Sequence, residues 1–590
     1  MSDNRNFLIA IILSAIVLFG WTYVAETWFP TARDPSTEFV DGEQVALPQP
    51  EADPAADRPE AVRDRREVLA ETPRIPIATP HLEGSLNLEG ARIDDLVLTR
   101  YRQSLAEDSP PIRLLSPAGA PKAYFAGFGW TGEGLEVPGN DAVWRTEGDR
   151  LAPGDPVTLA WDNGAGQRFE IELAVDEHYM FTARQRVENR GDGPVAVRPY
   201  ALVSRVGESP DPDSWTIHTG PIGVFDGTRE TVDFDDLAEA GTERFTTRGG
   251  WLGFGDKYWL AAIAPDPGTE ADAAFRRGAG DSYQADIAPD TVILAPGKAA
   301  SYEARVFAGA KEVALLDDYE DELGIDQLDK AIDWGWFYWF EKPIFYLLWW
   351  LFQAIGNFGV AIICLTIIVR VLMFPIAQKQ FASMAAMRAV QPKMKALQER
   401  HKDDKQRLQQ EMMKLYRDEK VNPLAGCMPL ILQIPIFYAL YKVLLLAVEM
   451  RHEPFALWIK DLSAPDPLTP VNLFGYLDFT PPSFLAIGIL PIILGISMYF
   501  QFKLQPMTDP IQRQVFGIMP WVFMFIMAPF AAGLQLYWAV SNLLTIAQQK
   551  WLYSKHPALK ASLAAEAKEA EAKAAGKKAA EPEGKPARSK

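Results

Sequence analysis

Arg370 raises the sharpest chemical question in this sequence. It stands in Ile362-Ile-Cys-Leu-Thr-Ile-Ile-Val-Arg-Val-Leu-Met-Phe374, an apolar run that ends near Lys379. Nine residues of helix cover about 13 Å, too deep for easy snorkelling if the run crosses a bilayer. A mid-membrane arginine costs about 2.5–3.5 kcal/mol on insertion scales, so its side chain should face protein or a wet cavity. No acidic residue falls inside any other apolar segment; Glu449, at the outer end of one, is the nearest candidate. Thr366 lies one turn earlier, and Gln433, Gln501, Gln535, Ser541 and Asn542 interrupt other apolar segments. Tyr537 and Trp538 add amphipathic rings. A cation without a carboxylate in a hydrated pocket attracts an acidic guest. The competing reading ties Arg370 to backbone carbonyls as glue between helices.

The sequence gives little footing for other chemistry. Its two cysteines, Cys364 and Cys427, both lie in apolar segments. Six histidines are scattered without ligand spacing, so no metal is expected. Phosphate-binding glycine loops, HExxH, Gly-x-Ser-x-Gly and dinucleotide fingerprints are missing, so neither a cofactor nor an enzyme is expected. A second group of interest is Met384, Met387, Met394 and Met412. With Val390, Leu397, Leu408 and Leu415 they recur at spacings of three and four on two helical stretches, split by His401-Lys-Asp-Asp404. Such a face suits varied partners, a guest or the ribosome, because methionine is flexible and polarisable. Packing of the two helices on each other explains the pattern equally well.

The elements that must position these residues follow from hydropathy and charge. Apolar runs at about 7–24, 345–376, 424–448, 483–503, 515–530 and 534–552 predict six membrane helices. The first could also be read as a signal peptide, but its length and the lack of a small-x-small site argue for a retained span. The segment Gln378–Asn422 holds 11 basic against 6 acidic residues, and the tail from Lys550 holds 10 against 5. The segment Glu449–Pro482 holds 2 against 5. The first two should face the cytoplasm and the third the outside, with both termini inside. Prolines 429, 435, 491, 520 and 529 allow kinks within the spans.

Between Glu26 and Lys342 stand 59 acidic and 30 basic residues, and no cysteine, so this part needs its own core. Residues 30–80 are rich in Pro, Glu, Asp and Ala and read as a disordered tether. From 81 to 310 the pattern alternates, as in Phe169-Glu-Ile-Glu-Leu-Ala-Val175, between turn clusters at Asp162–Gly166 and Glu188–Pro194. That predicts a large β-sandwich outside the membrane. Its stretch Gly250-Trp-Leu-Gly-Phe-Gly255 is expected as a loop, at a packed rim or around a ligand. Residues 311–342 are expected to be a linker with an interfacial helix in Trp334-Gly-Trp-Phe-Tyr-Trp-Phe-Glu-Lys-Pro343, the second span beginning after Pro343 and running over 343–377. A cytoplasmic hairpin follows at 378–422, then four spans over 423–553 with an outer loop at 449–482. A low-complexity basic tail at 554–590 closes the chain, solvated or drawn to ribosomal RNA or anionic lipid.

Several stretches together resemble the YidC/Oxa insertase family, in its Gram-negative YidC form. They are Gln391-Pro-Lys, Asp403-Asp-Lys-Gln-Arg407, Glu419-Lys-Val-Asn-Pro-Leu-Ala-Gly-Cys427, Gln433-Ile-Pro-Ile-Phe437 and Pro454-Phe-Ala-Leu-Trp-Ile-Lys-Asp-Leu-Ser463. Gly533-Leu-Gln-Leu-Tyr-Trp538 and Ser541-Asn-Leu-Leu-Thr545 complete the set. The resemblance is strong from about 357 to 553. It implies a five-helix core with a hydrophilic groove open to the cytoplasm and to lipid but closed outward. It implies that Arg370, Thr366, Gln433 and Trp538 line that groove and that Tyr537 meets the guest; Gln501 sits where the family pattern is uncertain. It further implies insertion and folding of nascent inner-membrane proteins. The Sec translocon, the ribosome with the signal recognition particle pathway, and membrane lipids would be partners, and DNA would not. The outer domain resembles the family's β-supersandwich, a sugar-binding-like fold. A secondary transporter would predict paired repeats, which are not seen. A sugar- or lipid-acting outer domain would need converging carboxylates or histidines.

Overall fold

The computed structural model describes residues 38–40, 43–45, 63–211, 217–378, 390, 393–394, 396–401, 404–419, 428–477, 482, 486–504 and 510–555. The expected first span at 1–29, most of the expected tether and tail, and Met384 and Met387 lie outside these residues.

The alternating stretch is a strand over Gln167–Val175, with Phe169, Ile171, Leu173 and Val175 all buried. It pairs antiparallel with Met180–Asn189, placing Phe169 opposite Val187. Alternation buries one face of each strand, so two such sheets must close on each other. A nine-stranded antiparallel sheet runs from Thr228–Thr231 at one edge to Arg145–Glu147 at the other, with Lys298–Ala310 at its middle. A ten-stranded antiparallel sheet opposes it, from Thr242–Arg248 to Arg74–Ala78. Tyr179, Phe181, Phe254 and Phe275 fill the space between them.

Two expectations for this region change. The sandwich begins at Arg74, not at residue 81, because Arg74–Ala78 pairs with Leu82–Asn87. A helix Arg65–Glu71 precedes it, its N-terminus capped by Asp64. Pro76 sits in this strand at the sheet edge, where a missing N–H is tolerated, and it masked the short Ile75/Ile77 alternation. The stretch Trp251–Gly255 is no loop but a wholly buried strand inside the nine-stranded sheet. It packs in the core.

After the sandwich the chain turns helical. Helix α1 (Val313–Leu323) ends on Gly324, which takes the left-handed conformation that glycine adopts freely. Helix α2 (Tyr338–Ile355) contains Pro343 and ends at Gly356 (φ 76°), whose N–H bonds to the Phe352 carbonyl. Asn357 then caps α3 (Phe358–Leu372) by accepting from the Val360 N–H at 3.0 Å. The expected span over 343–377 is therefore broken at 356–357 rather than bounded by Pro343. The helix expected at the interface runs on to Ile355. Its outer face exposes Trp339, Phe340, Tyr346 and Trp350, while Phe345, Leu348 and Leu351 are buried.

Helix α4 (Lys405–Asp418) packs on helical residues around 390–400. Four more helices follow: α5 (Met428–Leu446), α6 (Ile489–Leu504), α7 (Pro510–Met527) and α8 (Ala532–Lys555). Helix α8 packs on α3 and α6 and touches α5; α2 packs on α3 and α5; α6 packs on α7. Among the described residues no helix is long and apolar enough to cross a membrane. Helix α3, with 15 residues, reaches about 22 Å, and α8 is longer but carries Gln535, Asn542, Gln548 and Gln549.

Candidate functional site

Arg370 stands in the last turn of α3, where the helix dipole favours a cation. It is partly buried, and its Nη2 donates to the Ser541 hydroxyl of α8. Among the described residues its partner is thus a neutral hydroxyl rather than a carboxylate. One turn before Ser541 on α8 stands Tyr537, buried at 2% exposure. Its hydroxyl accepts from Gln433 Nε2 of α5 at 2.6 Å. Gln433, Tyr537, Ser541 and Arg370 therefore join three helices, with α8 reaching partners 104 and 171 residues earlier in the chain.

The other expected positions differ in role. Thr366 is fully buried, and its hydroxyl is spent on the Ile362 carbonyl of its own helix at 2.6 Å. It borders the cluster without offering a free donor. Trp538 is held edge-on between Phe437 and Phe523, with ring centres 4.4 and 4.6 Å away. That makes it an apolar wall. Gln501 on α6 has a buried side-chain oxygen without a hydrogen-bond partner among the described residues, and no described contact brings it to Arg370. Gln535 instead ties the α7–α8 turn, donating to the Met527 and Phe530 carbonyls. Asn542 donates to Ser497 of α6 at 3.0 Å.

In the hairpin, Val390 and Met394 are buried against Met412, Leu415 and Tyr416. The Tyr416 hydroxyl points at the Met394 sulfur at 3.9 Å. These two methionines pack the hairpin on itself. Met413, not singled out by the spacing, is turned outward, 57% exposed.

The sequence reading passed over Lys442, a single cation in an apolar helix. It is 1% exposed and paired with Asp333. A lone lysine inside a predicted span is the same signal that marked Arg370.

Residues 350–559 match the family model described as 60Kd inner membrane protein, and residues 74–347 match the YidC periplasmic domain. The chain is 50% identical over 559 residues to membrane protein insertase YidC of Zymomonas mobilis, covering 94% of this chain and 96% of that one. It is 44% identical over 582 residues to the protein of the same name from Beijerinckia indica, with 94% and 96% covered. A crystal structure of an active YidC insertase with its first transmembrane domain resolved aligns at 20% identity and a TM-score of 0.35, covering 80% of this chain and 91% of that one.

Proposed function

This chain belongs to the YidC family of membrane protein insertases, and from that premise we propose that it passes nascent inner-membrane proteins into lipid through a polar groove built around Arg370. The names of its relatives speak for insertion rather than for a transporter or a sugar-acting enzyme. The family is one of inner-membrane proteins with a periplasmic domain, here the antiparallel sandwich.

The observation that carries the groove reading is the pairing of Arg370 with a hydroxyl. Its charge is oriented by Ser541 without being cancelled by a carboxylate. An acidic outer tail of a guest meets a wet, positive half-path and crosses less hydrocarbon. The guest's apolar segment then moves sideways into lipid, driven by about 25 cal/mol per Å² of apolar surface removed from water. The membrane potential, about 2.3 kcal/mol per charge per 100 mV, draws an acidic tail outward, so no nucleotide is required. Tyr537 and Gln433 line the same path, Trp538 and Thr366 form its apolar wall, and the outward-turned Met413 offers the hairpin's first contact. The Sec translocon, the ribosome and the signal recognition particle pathway are the partners this activity calls for.

Six spans with both termini inside fit the charge of the segments between them. The helices α3, α5, α6, α7 and α8 supply the five-helix core, and α2 lies along the outer interface with its aromatic face toward lipid. Cysteine probes test this orientation. A probe at the exposed Ser301 should label from outside right-side-out vesicles, and one at Lys405 should not; the reverse pattern would overturn it. Photo-crosslinkers placed beside Arg370 test the groove itself, with capture of a nascent membrane protein as the expected result.

A further inference from the structure

Lys442 lies on α5, nine residues and about 13 Å beyond Gln433. Burying an ammonium costs several kcal/mol unless it is paired, so its surroundings must repay it. Asp333, in the linker ahead of α2, places Oδ2 3.8 Å from its Nζ. Asp333 is itself fixed from the sandwich: Arg229 Nη2 stands 3.4 Å from Oδ1, and the His218 N–H donates to Oδ2 at 3.1 Å. On the other side stands Glu341 of α2, 0% exposed and without a hydrogen-bond donor among the described residues. Burial pushes its carboxyl up to about 8, against the pull of the Lys442 charge, so Asp333 is the ionic partner of the lysine. Tyr438, one turn before Lys442, is the nearby phenol, and Lys311 is the next cation around Asp333.

Pro435 lies between this cluster and Gln433. A proline inside a helix removes one backbone bond and marks the place where it bends. Helix α5 therefore has two halves with separate anchors. The inner half is tied to Tyr537 by Gln433, an exchangeable neutral bond. The outer half is tied by the Lys442–Asp333 ion pair, which is costly to separate where the lysine is buried.

We propose that Lys442 is a positioning residue that seals the groove on its outer side. Held by Asp333, it pins the outer half of α5 to the linker, where α2 also packs on it, so that the motion admitting a guest takes place inward of Pro435. The inference rests on the groove reading above and adds to it the element that keeps the path closed outward.

The test uses the full chain with Cys364 and Cys427 replaced by serine and Gln433→Cys, at a half-buried groove position, as the probe, in oriented vesicles. A membrane-impermeant maleimide should label the parent from the cytoplasmic side and not from outside. Failure of cytoplasmic labelling would refute the groove reading. Lys442→Met should raise outside labelling at least fivefold, and Lys442→Arg should restore the closed behaviour. Unchanged outside labelling in Lys442→Met overturns the seal while leaving the groove reading intact. So does an equal rise in a sandwich-core variant, Phe275→Leu, that melts at the same temperature as Lys442→Met. If Lys442→Met does not accumulate, Asp333→Asn takes its place with the same two outcomes.

Discussion

The Arg370 guanidinium on α3 donates to the Ser541 hydroxyl on α8. The bond fixes where the charge points while leaving it uncancelled, because a hydroxyl brings a dipole and no counter-charge. If charge is what matters, Arg370→Lys should keep most insertion, since an ammonium is a sufficient point charge. Arg370→Ala should lose tenfold or more, about 1.4 kcal/mol, for guests with acidic outer tails, and Arg370→Glu more. Paired guests that differ only in tail charge read this out. Equal loss for acidic and neutral tails would sink charge attraction. Failure of the lysine variant together with a lower melting temperature would show instead that the planar fork of arginine is needed as glue.

Asn357 predicts a local effect. Its side-chain Oδ1 caps α3, and its Nδ2 donates to the Phe455 backbone carbonyl at 2.9 Å, joining the α2–α3 corner to the segment that follows α5. Asn357→Ala should cost about 1 kcal/mol for the cap. Thermal unfolding in detergent should show a drop of a few degrees, and Asn357→Asp, which still caps, should recover most of it. A melting point unmoved by alanine would mean that the corner is held by packing alone.

The hairpin separates stability from guest capture. Met394→Ser empties a buried contact with Met412 and Tyr416 and should unfold the hairpin at lower temperature, a loss of about 2–4 kcal/mol. Met413→Ser touches an exposed position and should leave stability within about 0.5 kcal/mol. If guests are met here, Met413→Ser slows their crosslinking. Guest capture that follows only the Met394 variant would mark the methionines as packing.

Much of this was legible in one dimension because period and charge are local signals. Phe169 to Val175 gave away its strand by alternation, and Arg370 stood out against its apolar run. The break at 356–357 was legible too, since Gly followed by Asn is a stop beside a cap, but Pro343 drew attention first. A proline in the second turn forfeits one bond and leaves the helix intact. The pairings were not legible. Hydropathy averages Lys442 away, and its partner Asp333 lies about a hundred residues earlier, so only folding shows that they meet. Gln501 went the other way: polarity put it among the groove residues, yet no described contact joins it to them.

The last prediction concerns pH and the joint between sandwich and helices. Glu449, just past α5, accepts from the Val313 N–H at the start of α1 at 2.8 Å. Burial, with Glu312 adding like charge, pushes its carboxyl from the usual 4.5 up to about 7. A carboxyl raised on folding binds its proton more tightly in the native state. The stability this brings is fully present below about 4.5 and is lost as pH rises through about 7, on the order of 3 kcal/mol at most. The full chain in detergent should therefore melt at a lower temperature at pH 8 than at pH 5. Glu449→Gln keeps an acceptor for Val313 and carries no charge to bury. It should match the parent at pH 5 and melt several degrees above it at pH 8, flattening the slope. A parent whose melting point is level between the two, or a glutamine variant that keeps the parent's slope, would show that Glu449 is already charged in the folded protein and that the joint is wet.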